Sequence, residues 1–223
     1  MLKKRYGLAA VLTVVLAALA IVLPAAADNG APKWKTWTFN ASGQAFSGGV
    51  PASAPGGIAT FAFPATPDTS FLLTDHGSYK GTLLGNLTGK TLSASVSDSG
   101  GPFTYYGQFD PSINPCPGVA TVRLYFQTKS SGSFAYTDYW WSHAGSSALG
   151  TGSHTLIAPL TNLADWTDWN GQSAADPTYT SAFLAAVNNV TSVGLSFGGG
   201  CFFANGVGAP NGGTFTLSSF TAS

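Results

Sequence analysis

Glutamate is absent from this chain of 223 residues: all nine acidic residues are Asp, and Lys and Arg together also number nine. Only 8% of the residues are charged. Proton chemistry would therefore have to rest on Asp and three His. The carboxylic acid pair that most sugar hydrolases need, one member with a raised pKa, is poorly supplied. No basic cluster survives beyond the first residues, which argues against nucleic acid and anionic membrane as partners. Cysteine is scarce, with Cys116 and Cys201 alone. After the N-terminal segment no second apolar run reaches membrane-spanning length.

Residues 1–27 read as a secretory signal. Lys3, Lys4 and Arg5 precede an apolar run from Leu8 to Leu23, and Ala25-Ala26-Ala27 offers a small-residue cleavage site before Asp28. Residues 28–223 then form one expected domain with six Lys and Arg against nine Asp, a formal charge of −3. A domain of that size buries roughly 70% of its unfolded surface. In an exported chain two cysteines suggest a Cys116–Cys201 disulfide, and closing so long a loop is worth roughly 4 kcal/mol in the chain-entropy model. The expected location is extracellular.

Gly, Pro, Ser and Thr separate short runs of β-prone residues, the pattern of an all-β sandwich or barrel. Ten strands are expected: 34–40, 57–63, 70–74, 91–97, 103–109, 120–128, 134–142, 154–158, 191–197 and 214–220. Phe61 and Phe63 should share a face. Leu92, Ala94 and Val96 should point inward, with Thr91, Ser93, Ser95 and Ser97 outward. One short helix is expected over Ala182–Asn188, capped by Thr180 or Ser181, with Phe183, Val187 and Val190 on its apolar stripe. The Gly-, Pro- and Ser-rich stretch from Ala41 to Gly57 reads as a loop.

The strongest local signal is the segment from Ala120 to Ser142. A four-residue turn, Ser130-Ser131-Gly132-Ser133, would place Val122 opposite Trp141, Leu124 opposite Tyr139 and Phe126 opposite Thr137 on an apolar face. The other face would pair Arg123 with Trp140, Tyr125 with Asp138 and Gln127 with Tyr136. Rings, a guanidinium, an amide and a carboxylate on a rigid sheet suit sugars, whose C–H patches stack on rings and whose hydroxyls need donors and acceptors. The plainer alternative is a solvent face on which Arg123 lies over Trp140 as a cation–π pair. Trp166 and Trp169 are secondary ligand candidates in a loop, or else plugs at one end of the sandwich. No cofactor is expected. Asp165, Asp168, Asn170 and Asp176 could offer oxygens to a structural Ca²⁺, although their spacing matches no EF-hand. Asp75 with His76, or Asp138 with His143, could form an acid–base pair. Asn40, Asn86 and Asn189 head sequons for N-glycosylation.

Several pieces together resemble secreted jelly-roll sandwiches of the carbohydrate-binding-module and laminin domain IV-like groups. They are Trp37-Thr-Phe39, Gly85-Asn-Leu-Thr-Gly89 leading into Leu92–Val96, the Tyr125 and Tyr139–Trp141 hairpin, and the tail from Phe183 through Val193–Phe197 to Gly213–Leu217. The resemblance implies a jelly roll with an aromatic or polar concave face. Many such modules hold Ca²⁺ with an early Glu and a late Asp; this chain has no Glu and no Asp in its last strand, so that site is not carried over. The expectation is a secreted, monomeric, non-catalytic domain that binds a polysaccharide or surface glycan. The alternatives are an adhesive or structural envelope protein with protein partners, and a hydrolase using Asp and His.

Overall fold

The computed structural model describes residues 34–40, 45–52, 58–75, 83–106, 118–128, 134–200 and 206–223. Alternating apolar and polar residues build most of the strands. They run β1 (Lys35–Asn40), β2 (Ala45–Pro51), β3 (Ala59–Ala62), β4 (Thr69–Thr74), β5 (Thr91–Gly100), β6 (Thr104–Tyr105), β7 (Thr121–Thr128), β8 (Tyr139–Ala148), β9 (Ser153–Pro159), β10 (Trp166–Asp168), β11 (Val190–Gly198), β12 (Val207–Gly208) and β13 (Gly213–Ala222). Among the described residues one α-helix of several turns, α1 (Pro177–Asn188), precedes β11.

Two antiparallel sheets result, and the chain is an all-β sandwich. The larger sheet has the order β10-β8-β7-β11-β4-β1-β2, with β12 joining β4 to β6; the smaller has the order β3-β13-β5-β9. Between them lies one apolar core. The expected alternation of β5 holds, with Leu92, Ala94 and Val96 buried in that core. Phe61 and Phe63 also share a face and meet Phe197, which in turn packs edge-on against Phe215 at 5.0 Å. On the same side of the larger sheet α1 inserts Phe183 against Phe126, Trp140 and Trp166.

The structure corrects five expectations. Ala45–Pro51 is a strand at the open edge of the larger sheet and not a loop. An edge position tolerates the Gly and Pro that hid it, because only one side of the backbone must pair. The helix starts five residues earlier than expected: Asp176 is the N-cap, its side chain accepting from the Thr178 N–H at 2.8 Å, and Pro177 occupies the first turn. A proline there loses only an N–H that the helix would not have used. Val190 belongs to β11, and the buried stripe of α1 is Phe183, Ala186 and Val187. Trp166 heads a short strand and is not in a loop.

The fifth correction matters most. Tyr136–Asp138 is a turn of 3₁₀ helix, so β8 begins only at Tyr139. Tyr125 then faces Trp141, Phe126 faces Trp140 and Gln127 faces Tyr139; beyond a bulge between Arg123 and Tyr125 the register slips again, to Arg123 opposite Ser146. The slip relative to the expected hairpin is odd, which exchanges the faces of the β8 tryptophans. The expected turn at 129–133 and both cysteines lie outside the described residues, as does His76.

Candidate functional site

The outer face of the larger sheet, away from the common core, carries a second apolar cluster. Its centre is Phe71 on β4, Tyr125 on β7 and Trp141 on β8, ringed by Trp37, Leu73, Tyr139 and Trp169. Alternation explains its position. Val193, Leu195 and Phe197 of β11 point into the core, leaving Ser192, Gly194 and Ser196 outward. These small residues form a low strip between the large side chains of β4 and β7. Gly194 lies in register with Leu73 on one side and Tyr125 on the other. A Cβ added to it would meet the Leu72 carbonyl oxygen at 2.1 Å, so nothing larger fits.

Over this strip opens a recess of about 360 Å³, lined by Trp37, Phe71, Leu73, Asp75, Tyr125, Gln127, Tyr139, Thr191 and Ser192. Phe71 and Tyr125 meet at 4.9 Å, and Tyr125 and Trp141 at 5.0 Å. From there the rings continue towards solvent. Trp169 contacts Trp141, Tyr139 and Phe134, and Phe134 stacks on Tyr139 at 5.3 Å. Phe134 and Tyr136 are half exposed, at 53% and 50%. Aromatic faces thus grade from a buried floor to an open rim.

The polar groups are few. The Tyr125 hydroxyl donates to Gln127 Oε1 at 2.6 Å, which leaves the Gln127 amide NH₂ as a donor. Burial pushes the Tyr125 phenol well above its usual pKa, and the neighbouring Tyr139 and Asp138 push the same way, so the phenol stays a neutral donor. Tyr139 is raised by burial and by Asp138. Ser192 Oγ donates to the Thr74 carbonyl and Thr191 Oγ1 to the Gln127 carbonyl, leaving both oxygens as acceptors. Asp75 adds an exposed carboxylate. These are the components of a sugar site: flat apolar faces for stacking and a small set of directed donors and acceptors.

Of the residues expected from sequence, Tyr125 and Gln127 line this recess; Tyr136 does not, and lies edge-on to Phe134, which stacks on the lining residue Tyr139. Trp140 does not join them. It is fully buried in the core, its ring edge-on to Phe183 at 4.9 Å and its Nε1 donating to the Thr137 carbonyl at 2.7 Å. The expected pairing of Arg123 with Trp140 is absent; Arg123 faces Ser146 and Ser196. It is 3% exposed, and burial draws its pKa down to about 9. Asp138 is buried in the 3₁₀ turn, near enough to Tyr125 and Tyr139 to act on their ionisation. Trp166 is a core residue that donates from Nε1 to the Pro159 carbonyl, whereas Trp169 belongs to the outer cluster.

The candidate calcium ligands serve separate local turns. Asp168 Oδ1 accepts from the Asn170 and Gln172 N–H groups, Asp165 Oδ2 from Asn162 Nδ2, and Asp176 caps α1. Among the described residues no three His, Cys, Asp or Glu gather as a metal site. His143 Nε2 lies 3.2 Å from Thr167 Oγ1, and burial together with Arg123 lowers the His143 pKa.

Sequence reading missed Trp37, Phe71, Leu73, Tyr139 and the β11 strip as parts of one surface. The available signal was the outward set Ser192, Gly194 and Ser196 alternating with inward Val193, Leu195 and Phe197. No protein-family model, no curated protein and no solved structure matches the chain.

Proposed function

We propose that this chain is an exported, non-catalytic glycan- or surface-binding domain whose ligand enters the ring-lined recess on the outer face of the larger sheet. A jelly-roll carbohydrate-binding module is the arrangement this reading implies. The observation that carries it is the combination of the half-buried rings of Trp37 and Tyr139 with the amide of Gln127, the hydroxyls of Thr191 and Ser192 and the carboxylate of Asp75 in one concavity. Trp37 and Tyr139 stack the sugar faces, and the polar groups meet its hydroxyls. No basic side chain lines the recess among the described residues, which favours a neutral ligand over an anionic one.

The test is a retention panel of soluble and insoluble polysaccharides with the purified protein. Selective retention should fall at least about tenfold in Trp37→Ala and in Tyr139→Ala, roughly 1.4 kcal/mol each, with unchanged thermal unfolding. Retention by no member of the panel would sink this reading.

The exposed Phe134 and Tyr136 favour a second reading, an adhesive surface for a protein partner or for another copy of the chain. That reading predicts a molecular size rising with concentration, and its loss in a Phe134→Ser, Tyr136→Ser double variant.

A further inference from the structure

Resting on the glycan reading of the recess, we infer that the site recognises the end of a sugar chain and not an internal run of it. The recess lies over β11, where Ser192 and Gly194 leave a trough between the taller residues of β4 and β7. In one direction the trough is stopped. Phe71 and Tyr125 meet across the outward side of β11 at 4.9 Å, and Trp141 packs behind them at 5.0 Å from Tyr125. All three are at most 2% exposed, so no ligand passes over them. In the other direction the trough leads to the exposed Asp75 and to Gln127, the polar groups of the opening.

A polymer bound along its length needs a groove open at both ends. A recess closed by three rings receives a terminus. Its volume of about 360 Å³ sits near the lower limit for ligand pockets and holds roughly one or two sugar rings. The terminal ring stops against the Phe71–Tyr125 contact and packs on the half-buried Trp37, Leu73 and Tyr139, and the next unit meets Gln127 and Asp75 as the chain leaves. The ligand class is therefore the free end of a neutral glycan, or the short oligosaccharides released from one.

The experiment is titration calorimetry of the purified protein with cello-, xylo-, laminari- and malto-oligosaccharides, from monomer to hexamer. Their parent polymers are included, each series both free and blocked at one end, at the reducing end as the methyl glycoside and at the non-reducing end as the methyl ether of the hydroxyl that would carry the next unit. The inference expects one series to bind with an affinity that levels off by the disaccharide or trisaccharide. Blocking the recognised end should weaken it at least tenfold, and fragmenting the parent polymer should raise the number of sites per gram. Affinity that climbs steadily to the hexamer and tolerates both blocks would overturn chain-end recognition while leaving the glycan reading intact. Failure of every series to bind would overturn both.

Discussion

At the scale of single residues, the adjacent Trp140 and Trp141 have opposite fates. Trp140 points into the core against Phe183, and Trp141 points to the outer cluster against Tyr125. Trp140→Ala should therefore cost ~3–5 kcal/mol of stability in urea unfolding, while the half-buried Trp37→Ala costs far less and removes ligand binding. Equal stability losses would mean that the two faces have been misassigned. Gly194→Ala should destabilise by about 1–3 kcal/mol through overpacking, since its Cβ would strike the Leu72 carbonyl. Asp168 gives a pH signature. Burial raises its pKa, against the opposing pull of the hydrogen bonds from Gln172 and Asn170. Between the ordinary value of 3.8 and the raised one the folded chain holds a proton that the unfolded chain has released. That contribution to stability is present at low pH and is lost as pH rises through the folded pKa. Asp168→Asn keeps an acceptor oxygen and should flatten this part of a Tm-against-pH curve. Which residues are aromatic and which face each takes within a strand were readable; which strand stands opposite was not, because partners such as Phe71 and Tyr125 lie 54 positions apart.

At the scale of elements, the sequence marked ten of the thirteen described strands and the existence of the helix, and it misjudged the connections. The β7–β8 register depended on how many residues leave the ladder. A serine-rich turn suggested an immediate hairpin, but the Tyr136–Asp138 turn delays pairing until Tyr139. Burying Trp140 beneath α1 and satisfying its indole N–H on the Thr137 carbonyl favour that longer excursion. Half of the expected site residues moved as a consequence. The helix start was written in Asp176-Pro177, a capping pair that the apolar stripe overshadowed. Asp176→Ala should lower stability by ~1 kcal/mol, measurable as a lower urea midpoint with unchanged slope.

At the scale of the molecule, the two sheets divide the work. The smaller sheet closes the core with Leu92, Ala94, Val96, Phe215 and Leu217, while the larger one buries its inward face and builds the recess on its outward face. Removing rings from the recess should leave the common core intact, so binding and stability ought to be separable by mutation. The all-β layout was legible because alternation is local. The second, outward aromatic layer was not, because it needs residues from four strands brought into register. That layering also divides the six tryptophans optically. Trp34, Trp140, Trp141 and Trp166 are buried, while Trp37 and Trp169 remain partly open. The protein thus carries two intrinsic fluorophore populations. A blue-emitting set shielded from acrylamide reports on unfolding, and a red-shifted, quenchable pair beside the recess reports on occupancy without any attached dye.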